Sequence, residues 1–196
     1  IEKDNVLNFG VSTSSFVVPN GVDIINPNCF SKKIIKTDKK ICLFLGRLDP
    51  IKGLDILIQT WGKVKNDNWI LVICGPDEKN YKSKLIKKIK DSKLESQIIL
   101  IDPIYGEEKF NLYTQSDLFV LPSYGENFGI TIAEALICGL PVITTKFTPW
   151  SELLVYNCGW FIDLNEVALT KALNEALITN KDILKKMGEN GINLIK

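Results

Sequence analysis

Seven short apolar runs, none of them alternating, constrain the fold of this chain more than any other feature. They are "SFVVP" (15–19), "KICLFLG" (40–46), "WILVICG" (69–75), "QIILI" (97–101), "DLFVLP" (117–122), "PVITT" (141–145) and "GWFI" (159–162). A strand with one wet face alternates apolar and polar residues. A continuous run of Val, Ile, Leu and Phe instead fits a strand covered on both faces, as in a parallel sheet wrapped by helices. Between the runs lie segments of helical spacing: Leu54, Leu57, Ile58 and Trp61; then Leu85, Ile86 and Ile89; then a short one around Phe110 to Tyr113; then Ile130 to Cys138. This repeated βαβ order predicts an α/β protein with a Rossmann-like, doubly wound parallel sheet, whose ligands bind outside the carboxyl ends of the strands. The tail from Glu166 reads as two helices broken near Thr179 and Asn180.

A chain of 196 residues is long enough for one domain, or for one domain with an appended arm. With 45% hydrophobic and 24% charged residues it falls outside the composition of disordered chains, and a formal charge of +1 gives no electrostatic case for nucleic acid or an anionic membrane. Histidine is absent, which excludes a Ser-His or Cys-His catalytic unit and the usual zinc ligand sets. Cys29, Cys42, Cys74, Cys138 and Cys158 are odd in number and widely spaced, which reads as a reducing, cytosolic compartment. No apolar run approaches the ~20 residues of a membrane span, and residue 1 does not open a signal peptide. A first residue other than Met suggests an excised fragment. The basic segment "KSKLIKKIKDSK" (82–93) surrounds a narrow Leu85, Ile86 and Ile89 stripe and reads as the solvated face of a helix.

Chemistry is therefore sought on the loops that follow strands. In "GRLDPIKG" (46–53) a strand ends at glycine, and Asp49-Pro50 supplies an N-cap followed by proline in the first turn. Arg47 and Lys52 then flank a helix N-terminus, where free N–H groups, the helix dipole and two cations all favour a phosphate-sized anion. On spacing alone, two solvated surface cations remain the alternative. In "PSYGENFGITIAEA" (122–135), Gly125 and Gly129 bracket Glu126, and a helix starts near Gly129 to Thr131. Gly129 admits close approach by a ligand. Glu134 lies about one turn into that helix, so its carboxylate is expected to reach toward the same mouth as Glu126. Taken singly, Glu134 reads equally well as an acid that stabilises the helix dipole.

The stretches "GRLDPIKGLDILIQTW", "LVICGPDE" and "PSYGENFGITIAEALICGLPVITT" resemble the C-terminal half of the group 1 (family 4) retaining glycosyltransferases, which have the GT-B architecture. The spacing of Glu126 and Glu134 matches the E-x7-E motif of that family. "VVPNGVD" (17–23) resembles the family's passage into its second domain, and "TPWSELLVYNCGWFID" (148–163) resembles a subgroup that builds lipopolysaccharide and other surface polysaccharides. "GPDE" carries one glycine where many relatives show Gly-x-Gly.

The resemblance implies a nucleotide-sugar site. Arg47 and Lys52 would hold the donor diphosphate, the N–H groups of Gly129, Ile130 and Thr131 would cradle its distal phosphate, Glu126 would touch the sugar near its anomeric carbon, Glu134 would bind the ribose hydroxyls, and the main chain at Pro103 and Ile104 would receive the base. The implied activity is transfer of a hexose from a UDP- or GDP-sugar to a glycan or lipid-linked acceptor, with no metal and no cofactor; the chain contains no Asp-x-Asp triplet. Residues 1–18 would be an interdomain segment with the first strand and residues 19–196 the donor-binding domain. The N-terminal acceptor domain would be missing, so the fragment would not transfer sugar alone. The cytoplasm is the expected location, with the inner face of the membrane as a second placing for the full-length protein. A GT-B epimerase of nucleotide sugars and a non-catalytic nucleotide-binding module are the alternatives. A glycoside hydrolase also uses two carboxylates, but these two share one strand-to-helix turn and do not face each other across a sugar cleft.

Overall fold

The computed structural model describes residues 8–10, 20–23, 25–64 and 67–196. Run 15–19, and with it most of the expected interdomain segment 1–18, lies outside them. The other six apolar runs form strands: β1 (Lys40–Leu45), β2 (Trp69–Cys74), β3 (Ile98–Ile101), β4 (Leu118–Leu121), β5 (Val142–Thr145) and β6 (Gly159–Ile162). They build one parallel sheet in the order β3-β2-β1-β4-β5-β6. This is the doubly wound arrangement expected from the sequence, and its chain order reverses between β1 and β4. Cys42 pairs with Leu118 and Leu43 with Phe119 across that reversal, so the carboxyl ends of β1 and β4 open side by side.

Covered strands need apolar residues on both faces, and β1, β2, β4 and β5 are buried almost throughout. The edge strands differ. Three of four residues in β3 and all four in β6 are only half-buried, because an edge strand has a neighbour on one side only and its covering helices overhang less.

Helices α1 (Leu54–Trp61), α2 (Tyr81–Asp91), α3 (Gly106–Gln115), α4 (Ile130–Ile137) and α5 (Glu152–Val155) lie in the connections between successive strands, and α6 (Glu166–Ile178) and α7 (Lys181–Ile195) follow β6. The stripe of α1 is fully buried at Leu54, Leu57, Ile58 and Trp61. In α2 the core takes Tyr81, Leu85 and Ile89 but leaves Ile86 exposed, which narrows the expected stripe and keeps the lysines in water. The two tail helices break where the sequence places the break, with the Asn180 side chain accepting the N–H of Asp182 to cap α7. The five cysteines are free thiols, and Cys42, Cys74, Cys138 and Cys158 are buried as small hydrophobes.

Candidate functional site

At the carboxyl end of β1 the chain turns at Gly46 into Arg47, and a short 3-10 turn follows (Pro50–Lys52). Asp49 caps this turn by accepting the Ile51 N–H at 3.0 Å. Its carboxyl is held below the usual range, first by the hydrogen bond from Lys79 and then by the Ile51 N–H, so the cap stays ionised. Gly53 then takes a left-handed conformation (φ 73°) and passes so close to β4 that a Cβ there would lie 2.0 Å from the Pro122 carbonyl oxygen. Only glycine meets both requirements.

The loop after β4 is tied to the same turn. The Tyr124 N–H donates to the Ile51 carbonyl at 2.7 Å, and the Ser123 hydroxyl lies 3.0 Å from the same carbonyl. Thr145, at the end of β5, donates to the Ser123 carbonyl at 2.6 Å, and the Glu126 N–H donates to the Phe147 carbonyl at 3.1 Å. Three strand-end loops are thereby locked together. Gly129 is also left-handed (φ 78°) and opens α4, whose first N–H groups have no intrahelical acceptor. The indole of Trp150 donates to the Phe128 carbonyl at 2.6 Å and packs on the Phe128 ring, 5.4 Å between centroids, which holds the approach to that helix end.

These loops enclose a crevice of about 490 Å³ at the topological switch point. Arg47, Lys52, Glu126, Gly129, Ile130 and Thr131 all line it, so the structure brings together six of the nine residues singled out from the sequence. The charge in it is arranged in a way that spacing does not reveal. Lys52 Nζ lies 2.6 Å from Glu126 Oε1, with the two side chains only 14% and 11% exposed. Arg47 pairs with Glu78 at 3.3 Å, both more than half exposed.

Glu134 is not among the lining side chains. It is buried on α4, where Oε1 accepts from Lys109 Nζ at 2.6 Å and Oε2 accepts from the Tyr113 hydroxyl at 3.0 Å, both donors standing on α3. Burial, and then the charge of Glu134, raise the Tyr113 hydroxyl well above the usual phenol range, so it remains a donor to that carboxylate. Pro103 and Ile104 follow β3, which lies at the edge of the sheet two strands from β1, and they too lie outside the crevice lining. Sequence reasoning missed Lys109 and Tyr113 as partners of Glu134. Their i, i+4 spacing on one helix face was a signal, but nothing local shows which acid that face meets. It also passed over Asn20 and Ile51, which line the crevice, and Ser123, which braces it.

Among the described residues, no group of three or more His, Cys, Asp or Glu side chains is placed to hold a metal ion. A carboxylate, two cations and a helix N-terminus in one crevice suit a ligand that carries phosphate charge at one end and hydroxyl groups at the other.

A family model described as glycosyl transferases group 1 matches residues 26–194. The O-antigen biosynthesis glycosyltransferase WclY of Escherichia coli is 30% identical over 179 residues, covering 88% of this chain and 49% of that protein. Among solved structures, S. aureus TarM in complex with UDP, fondaparinux and alpha-GlcNAc-glycerol superposes with a TM-score of 0.82 at 23% identity, over 99% of this chain and 38% of that one. The C-terminal domain of the group 1 family protein LpcC from Francisella tularensis gives a TM-score of 0.72 at 24% identity, over 87% of this chain and 96% of that one. Both structures share the fold. The chain spans about half or less of the length of the curated relatives it matches.

Proposed function

Since the chain belongs to the group 1 glycosyl transferase family, with the Rossmann-like sheet of a GT-B structure, we propose that it is the donor-binding half of a retaining hexosyltransferase. The reading rests most on one observation, that Arg47, Lys52, Glu126 and the N-terminus of α4 line a single crevice at the switch point of the sheet. In it, Arg47, Lys52 and the N–H groups at Gly129, Ile130 and Thr131 take the diphosphate of a nucleotide sugar. Glu126 positions the sugar near its anomeric carbon. Outside the crevice lining, Glu134, which also accepts from Lys109 and Tyr113, meets the ribose hydroxyls, and the main chain at Pro103 and Ile104 receives the base.

Sugar transfer separates a diphosphate from an oxocarbenium-like sugar, so negative charge grows on the leaving oxygen as the bond lengthens. Two cations and a helix end aimed at that oxygen stabilise the departing group more than the bound donor, which is the condition for catalysis. The same charges do the work that a divalent cation does in metal-dependent transferases. UDP is the first candidate nucleotide, supported by the UDP bound to the similarly folded TarM, and GDP the second. The similarity to WclY supports an acceptor among surface polysaccharides, as a glycan or lipid-linked acceptor held mainly by a further N-terminal domain. No helix among the described residues is long and apolar enough to cross a membrane. We place the reaction in the cytoplasm, with the inner face of the membrane as the second placing.

A thermal-shift panel with UDP, GDP, ADP and their sugars tests this reading, because a ligand that binds only the native state raises the melting temperature by mass action. The expected result is a rise with one nucleotide family, unchanged by EDTA, and no sugar transfer by this chain alone. Absence of any shift across the panel, or loss of the shift in EDTA, contradicts the site described.

A further inference from the structure

We propose that Glu126 serves as an internal counter-anion for Lys52, so that an arriving diphosphate must take Lys52 away from Glu126 and thereby frees this carboxylate for the donor sugar. The proposal rests on the donor-site reading above.

The two side chains meet at 2.6 Å, both largely withdrawn from water and both on the crevice wall. Their backbones are fixed. Lys52 sits in a 3-10 turn closed by its own N–H on the Asp49 carbonyl at 2.9 Å, and Gly53 behind it is pressed against Pro122. Glu126 is pinned by its N–H on the Phe147 carbonyl at 3.1 Å. An exchange of partners is therefore a matter of side-chain torsions, with no loop movement required.

Separating such a pair without replacement leaves two charges poorly hydrated, which is costly. A nucleotide sugar supplies both replacements. A phosphate oxygen takes the place of the carboxylate on Lys52, and sugar hydroxyls donate to Glu126. A nucleoside diphosphate without sugar supplies only the first and leaves the Glu126 side chain without a donor beside a phosphate. The pair thus biases the site toward the sugar-bearing donor and against its own product. The Arg47–Glu78 pair is different in kind: it is longer, at 3.3 Å, and exposed on both sides, so solvent screens it and Arg47 is released at little cost.

The test is calorimetric titration of four proteins with UDP and GDP: wild type, Glu126→Gln, Lys52→Met and the double variant. Glu126→Gln removes the competing charge and keeps the shape, so it should bind the nucleoside diphosphate about three- to tenfold more tightly than wild type. In the Lys52→Met background there is no pair to break and only the repulsion between carboxylate and phosphate remains, so the same change should gain less than it does in wild type. Glu126→Asp, which draws the carboxylate back by one methylene, should tighten binding in the same direction but less, and it substitutes for the Gln variant if that protein does not fold. Equal gains in both backgrounds would show plain repulsion of the phosphate and overturn the exchange. Weaker or unchanged binding by Glu126→Gln would overturn it while leaving the donor site standing. Failure of wild type to bind either diphosphate would remove the donor-site reading and the exchange together.

Discussion

Gly53→Ala is expected to lower the stability of the domain by about 2–5 kcal/mol and its melting temperature by about 5–15 °C. Two costs add. An L-residue held at φ 73° pays for a left-handed backbone, and the new methyl would lie 2.0 Å from the Pro122 carbonyl oxygen, inside any permitted contact. Neither neighbour can give way easily, because Pro122 directly follows β4 and the loop after it is bonded back to Ile51. Relief requires the Pro50–Lys52 turn to shift away from β4, so Lys52 and the crevice should be disturbed along with stability. Thermal melts followed by circular dichroism measure the first effect. A variant as stable as wild type would show that this junction is looser than described.

Arg47→Ala should weaken binding of the nucleoside diphosphate about tenfold, with about a hundredfold as the upper bound for loss of a charge-assisted hydrogen bond. The lower figure is favoured because the Arg47 side chain is more than half exposed, where solvent reduces the interaction. The Arg47–Glu78 pair is exposed for the same reason, and its removal should leave the melting temperature nearly unchanged. Affinity for the uncharged nucleoside should also hold, since base and ribose are assigned to other loops. Titration of the variant with the diphosphate and the nucleoside checks both halves of this expectation. Equal weakening of the two ligands would mean that Arg47 does not act on phosphate.

The six described strands were legible because each is a continuous apolar run in a position covered from both sides, and burial of this kind writes itself into composition without reference to the rest of the chain. The half-buried state of β3 and β6 was not legible, since nothing in "QIILI" or "GWFI" says that a strand lies at the edge. The four-residue helix α5 is too short to show a period. In the site, Arg47, Lys52 and the α4 N-terminus were readable from strand-glycine-cap signals, which are local, but the start expected at Pro50 is a 3-10 turn that ends at left-handed Gly53, and α1 begins only at Leu54. The carboxylates were readable as residues but not in their pairings. Lys52 meets Glu126 from a loop 74 positions away, and Glu134 turns to Lys109 and Tyr113 because α3 packs beside α4. Such pairings are decided by tertiary packing, which pattern and propensity do not carry.

Titration calorimetry of the wild-type chain with uridine against UDP and guanosine against GDP shows whether the crevice between β1 and β4 recognises a diphosphate. For the nucleotide that the site accepts, the diphosphate should bind at least about tenfold more tightly than its nucleoside. The difference should narrow as salt rises, because half-exposed Arg47 is part of the phosphate contact. A diphosphate that binds no more tightly than its nucleoside in either pair would contradict diphosphate recognition and reduce "GRLDPIKG" to a capped 3-10 turn.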